Sequence, residues 1–230
     1  MITFKEKDFF MVSKGLFQKE GLRKTDRMMY IYLSSICQDS PSHLSYAKTK
    51  KVREYFGITT PTIKSITNRL TKAELVDVDK KNPLLFELFT RENMNTEGNF
   101  FLLHYIILRS HILNANQKLI YAFLMSNARG EEMKTQIPMS KIASGCGIRD
   151  DKQLREDIKG LTELGLITQT LKRKRYMSRI QFEKYEYEMC EIPESFTLGI
   201  KDSLDSDNLI DYDSSLEDIV DAIFKEKKYG

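Results

Sequence analysis

The chain has 230 residues, 41% hydrophobic and 30% charged, with a net charge of +3. That length fits two small domains with packed cores in a soluble protein. No apolar run approaches the ~20 residues of a membrane span, the charged start MITFKEKDFF argues against a signal peptide, and Cys37, Cys146 and Cys190 lack metal-ligand spacing, so reduced thiols in a cytoplasmic protein are expected.

Taken in order, FKEKDFFMVSKGLF (4–17) reads as a short extended segment and a short helix, with Phe9, Phe10, Val12 and Phe17 packing under a first domain. Thr25 is the expected N-cap of a helix running to about Cys37, with Met28, Met29, Ile31, Tyr32 and Leu33 as its apolar side. Ser40-Pro41-Ser42 breaks the chain.

The stretch Lys48 to Val78 organises the rest of the chain. Val52, Tyr55 and Phe56 share one face of a helix that Gly57 ends, since glycine takes the left-handed C′ conformation at low cost. Thr60 is the expected N-cap of a second helix and Pro61 its first residue. Ile63, Ile66, Leu70 and Ala73 recur at helical spacing, so Pro61, Ser65, Asn68, Arg69 and Lys72 lie opposite, on a face without a carboxylate. Two helices joined by a short glycine turn form a helix-turn-helix, whose second helix can enter the major groove. VDV, DKKNP and LLFEL then read as strand, turn and strand, a wing with Lys80 and Lys81 at its tip. Polar residues 91–98 form a linker.

A second copy comes next. Phe100, Phe101, Tyr121, Leu124, Gly147 and Leu166 echo Phe9, Phe10, Tyr30, Leu33, Gly57 and Leu75 at offsets of 90 or 91, a period too long for a solenoid. Asn114 or Asn116 caps a helix from Gln117 to about Ala128, Pro138 precedes a helix from Met139 to Gly145, and Gly147-Ile148 is the turn. Asp150 or Asp151 caps the next helix, whose core stripe is Leu154, Ile158, Leu161 and Leu164. Its outer face carries Lys152, Glu156, Lys159 and Glu163, opposite charges spaced to pair with one another. A solvated face or a protein contact suits it better than base reading. Lys172-Arg173-Lys174-Arg175 is expected at the tip of a second wing, in contact with phosphates, with Tyr176 to Phe182 returning and 183–190 extending the edge.

Residues 191–230 hold eleven Asp/Glu and four Lys, which leaves the preceding 190 residues with 32 basic and 22 acidic groups, net +10. A basic body suggests a nucleic-acid partner. In the acidic tail, Ser214 or Ser215 caps a last helix, Leu216 to Lys227, that packs back on the body or docks on a partner.

There is no phosphate-binding GxxxxGK[ST], no GxGxxG and no GxSxG, and His43, His104 and His111 make no metal set with the cysteines. No enzymatic activity, cofactor or metal is therefore expected.

FFMVSKGLF, TDRMMYIYL and KVREYFGITTPTIKSITNRL with its KAELV exit, together with QLREDIKGLTELGLI in the second copy, resemble the winged-helix domains of plasmid RepA-type replication initiators and the N-terminal domain of DnaD-like replisome organisers. The resemblance implies sequence-specific binding of double-stranded DNA, often by dimers, at an origin or promoter of a phage or plasmid. The expected fold is mainly α with small β-hairpins (α+β): two tandem winged-helix domains, 1–90 and 99–190, joined by the linker 91–98 and followed by the acidic tail 191–230. Thr59, Thr60, Thr62, Lys64, Ser65, Asn68, Arg69 and Lys72 would face the groove, with Asn68 or Arg69 on bases. Lys48, Lys50, Lys51, Lys80, Lys81, Lys152, Lys172, Arg173, Lys174 and Arg175 would hold phosphates. A homodimer and a protein partner, met through the second domain or the last helix, are further expectations. The competing reading is a tandem winged-helix scaffold for protein contacts, as in the ScpB subunit of bacterial condensin, without direct DNA reading.

Overall fold

A computed structural model describes residues 8–37, 44–46, 49–78, 85–88, 100–149, 152–176 and 179–196. The linker 91–98 and the expected last helix, 216–227, lie outside these residues. The first copy contributes β1 (Phe9–Ser13), α1 (Gly15–Gln18), α2 (Lys24–Cys37), β2 (Leu44–Tyr46), α3 (Thr49–Phe56), α4 (Thr60–Lys72), β3 (Val76–Val78) and β4 (Leu85–Leu88). The second contributes β5 (Phe100–His104), α5 (Tyr105–Arg109), α6 (Ala115–Asn127), β6 (Lys134–Gln136), α7 (Met139–Cys146), α8 (Lys152–Glu163), β7 (Ile167–Tyr176) and β8 (Arg179–Met189). The fold is mixed α and β and winged-helix-like. Each copy carries a three-stranded antiparallel sheet, β2-β4-β3 in the first and β6-β8-β7 in the second.

The copies are joined by their opening strands, β1 against β5. Met11 lies opposite Leu102, its own counterpart 91 residues on. Phe10 lies opposite Leu103, the counterpart of Val12, and Val12 opposite Phe101, the counterpart of Phe10. A local two-fold axis therefore passes through the middle of the ribbon, the arrangement of an isologous dimer within one chain. Alternation along the strands buries Phe10, Val12, Phe101 and Leu103 on one face.

This pairing changes where the opening aromatics go. Instead of packing only beneath the first domain, Phe17 lies against Phe101 and Phe123, with ring centroids 6.1 and 5.2 Å away, and Phe10 against Tyr105 at 4.8 Å. The buried apolar residues of both copies form one continuous cluster.

Each helix-turn-helix also leans on the opposite copy. The Tyr55 hydroxyl on α3 donates to the Leu108 carbonyl at the end of α5, 2.9 Å away. In mirror fashion, the turn at Gly147 sits against Leu22, Lys24 and Arg27 of the first copy. Arg27 and Lys118, 91 residues apart, perform one task twice. Arg27 donates to the carbonyls of Leu22 and Lys19, beyond α1, and the Lys118 ammonium donates to Leu108, 2.7 Å away. Lys19 caps the end of α1 and Leu108 lies in the last turn of α5, so each cation satisfies a carbonyl where a short helix has run out of backbone donors.

Local rules shape the rest. Gly57 and Gly147 take positive φ, 61° and 65°, as the two turns require. Asn114, not Asn116, caps α6 in a full capping box with Gln117. Two expected caps move by one or more positions: α2 begins at Lys24, ahead of Thr25, and α4 has Thr59 as its N-cap with Thr60 and Pro61 in its first turn.

Burial pushes Lys118 down to about 8, below the ~10.4 of a free lysine. Between these values the unfolded chain holds a proton that the folded chain has shed, so this group adds stability as pH rises through that window. The stability of the native protein minus that of Lys118→Met, from denaturant titrations at pH 7.5 and 9.5, is expected to grow with pH. An unchanged difference would contradict this placement of Lys118.

Candidate nucleic-acid interface

Helix α4 has the division of faces that groove entry needs. Ile63, Ile66, Thr67 and Leu70 are buried, the threonine hydroxyl turning back to the Ile63 carbonyl at 2.9 Å. Thr60, Pro61, Thr62, Lys64, Ser65, Asn68, Thr71 and Lys72 are exposed. No residue of the helix is acidic. Thr59 is also exposed, its hydroxyl 3.0 Å from that of Thr62. The open N-terminus adds the positive end of the helix dipole to this surface.

Arg69 occupies a different position from the free groove reader expected of it. Its Nε and Nη2 donate to the two oxygens of Asp26, at 2.8 and 2.7 Å, and its Nη1 donates to Ser65 at 2.7 Å. Asp26 is fully buried, and its Oδ2 also accepts the backbone N–H of Arg23 at 2.9 Å. The charge-assisted pair holds the guanidinium more firmly protonated, the hydrogen bond to Asp26 being the largest cause. Arg69 therefore clamps α4 to α2. A guanidinium has five N–H donors, three of them used here, so two remain for another acceptor.

The second helix of the other motif, α8, buries Leu154, Ile158 and Leu161, as its stripe implies, with Leu164 only partly covered. Its outer face pairs with itself, Lys152 with Glu156 at 3.3 Å and Lys159 with Glu163 at 3.1 Å. Exposed pairs of this kind contribute little stability, but they place carboxylates where a phosphate would have to approach. Asp157, unlike these, is buried. It accepts from Asn114 Nδ2 at 2.8 Å, Asn116 Nδ2 at 2.9 Å and Gln153 Nε2 at 3.2 Å.

The basic run does not form the hairpin tip. Lys172 to Arg175 lie inside β7, opposite Lys184, Glu183, Phe182 and Ile180, and the connection falls at 177–178. Lys172 is exposed and pairs with Glu186 at 3.3 Å. Residues 183–189, expected as an edge, belong to the central strand of their sheet. The physical reason is the alternation of Glu and Tyr along EKYEYEM. It gives β8 a strand period and sets Glu183 and Glu186 across from or diagonal to the cations of β7. The register shifts between Lys174 and Arg175, which turns the outer end of this long hairpin. The side chains of Arg173, Lys174 and Arg175, and those of Lys50 and Lys51 on α3, lie outside the described residues, as do Lys48, Lys80 and Lys81 altogether.

Sequence reasoning missed Asp26. Its signal was present: an acid in the first turn of a helix next to an otherwise carboxylate-free basic face. Among the described residues no group of three His, Cys, Asp or Glu could hold a metal ion, and no helix is long and apolar enough to cross a membrane.

No family model matches the chain, and no curated protein matches it. Solved structures that match include the crystal structure of Pi initiator protein in complex with iteron DNA, at 13% identity and a TM-score of 0.45, covering 83% of this chain and 100% of that one.

The clamp has an asymmetric signature. Arg69→Met leaves a buried carboxylate without its cation and is expected to cost about 2–3 kcal/mol. Asp26→Asn frees a partly exposed arginine to reach water and is expected to cost less. The double variant should cost less than the sum of the singles. Urea denaturation of the three variants checks this, and an Arg69→Met cost near zero would show Arg69 to be an unattached surface residue.

Proposed function

We propose that the chain is a sequence-specific double-stranded DNA-binding protein, a replication initiator or transcriptional regulator of phage or plasmid type. The observation that carries the reading is α4: an exposed, carboxylate-free face of threonine, lysine, serine and asparagine on a helix-turn-helix. Asn68, exposed and at the centre of that face, is the residue for a bidentate contact to adenine. Arg69, steadied by Asp26, presents its two remaining donors beside it. Lys64 and Lys72 hold phosphates, with Lys48 just before α3 and Lys50 and Lys51 in its first turn in the same role. The two hairpins serve as wings, Lys80 and Lys81 on the first and Lys172 to Arg175 along the second. The replication side of the reading draws on the sequence resemblance to RepA-type initiators.

The self-paired outer face of α8 favours a different role for the second motif, contact with protein, either a partner or a second copy of this chain. Lys152, engaged with Glu156, is then no phosphate ligand. The reading as a pure scaffold would extend this role to the whole chain, but it leaves the composition of the α4 face without a use.

The test is fluorescence anisotropy on random duplex and on duplexes selected from a randomised pool, across a salt series. Affinity is expected to fall steeply with salt. Asn68→Ala should lose about 1–3 kcal/mol on selected duplex and little on random duplex. Lys64→Ala should weaken both alike and flatten the salt slope. Absence of binding at low salt would overturn the DNA reading and favour the scaffold.

A further inference from the structure

Two sets of polar contacts, joined through the first turn of α2, run from one helix-turn-helix to the other. On α4, Ser65 holds Arg69, and Arg69 holds Asp26 in the first turn of α2. Two residues earlier, the Lys24 ammonium reaches into the other copy and donates to Asn116 Oδ1 at 2.9 Å. Asn116 Nδ2 donates to Asp157 of α8, which Asn114 and Gln153 also hold. The amide orientation of Asn116 is dictated by its neighbours, since only its oxygen can accept from an ammonium and only its nitrogen can donate to a carboxylate. The link is charge-assisted at both ends, and its inner terminus is a carboxylate only 2% exposed.

Its place matters as much as its strength. Lys24 and Asn116 sit in the first turns of α2 and α6, the counterpart helices of the two copies. Helix α8 passes through a short turn into β7, Leu166 N–H closing on the Leu161 carbonyl at 3.1 Å. Movement of α8 relative to α4 would therefore carry the long β7–β8 hairpin with it.

We propose that Lys24 and Asn116 are positioning residues that set the distance along DNA between the groove occupied by α4 and the backbone touched by the β7–β8 hairpin. The proposal rests on the DNA-binding reading and adds to it a fixed span between two contact points. Lys24 acts through Asn116 and not on the duplex. Loss of its ammonium leaves the shared core and the amide contacts of Asp157 in place, so the fold survives while α8 and its hairpin lose one tie to the first turn of α2.

Hydroxyl-radical footprinting on a selected duplex tests this with the full-length chain, Lys24→Met and Lys24→Arg. The native chain is expected to protect two backbone patches at one fixed offset. Lys24→Met should keep the patch flanking α4 while protection of the second patch weakens about threefold and spreads over neighbouring nucleotides. Lys24→Arg, whose guanidinium can still donate to Asn116, should restore the sharp second patch. Equal sharpness of both patches with Lys24→Met would overturn the proposal, as would a single patch with the native chain. Uniform weakening of both patches, with a shallower salt slope, would make Lys24 a phosphate ligand and also overturn it. A chain that binds no duplex at low salt would remove the DNA reading itself, an outcome distinguishable from these.

Discussion

The antiparallel pairing of β1 with β5 is the constraint on which the rest depends. Each is a five-residue strand whose sheet contains no other strand among the described residues. Neither can satisfy its backbone without its counterpart. Because the two strands are repeats of one another and pair about Met11 and Leu102, the elements after each strand are placed by the same local two-fold axis. Phe17 can then reach Phe123, Tyr55 can reach Leu108, and Gly147 can lie beside Arg27. Exposure of these contacts by separating the copies would uncover apolar surface from a shared core, so the two motifs behave as one object.

That joint frame gives the asymmetry between the motifs its meaning. The two helix pairs are similar in backbone and differ in side-chain chemistry. On α4 the acid needed to steady the cation lies on a different helix, α2, buried beneath Arg69, and the outer face stays free of negative charge. On α8 the acids are on the outer face, paired with lysines one turn away, and the buried acid, Asp157, is held by amides. On the proposed reading, a phosphate backbone would meet an open surface at the first helix and competing carboxylates at the second.

Much of this is legible in the residues. Periodicity locates α4 and its buried stripe because Ile63, Ile66 and Leu70 have one role each, and the positive-φ glycines mark both turns. The offset of 91 exposes the duplication. Other features depend on partners remote in sequence and leave no local trace. That β1 pairs with β5, rather than packing beneath its own domain, is decided by unsatisfied backbone groups about ninety residues apart. The engagement of Arg69 depends on Asp26, 43 residues away, and periodicity alone places an arginine on a face without saying what holds it. The cations at 172–175 look like a turn when their mutual repulsion is weighed without β8, whose register brings Glu183 opposite Arg173 and whose Glu186 pairs with Lys172. The N-cap of α4 shifts by one residue because Thr59 and Thr60 stand side by side and either suits that position.

On the DNA-binding reading, the outer face of α4 enters the duplex while the outer face of α8 does not. A photo-crosslinking side chain placed at Thr62, and separately at Lys159, tests it on selected duplex at moderate salt. Both positions are exposed, and Lys159 lies on the self-paired face of α8. A DNA adduct is expected from position 62 and none from position 159. Adducts from 159 alone, with binding intact, would contradict it and transfer the reading role to the second motif.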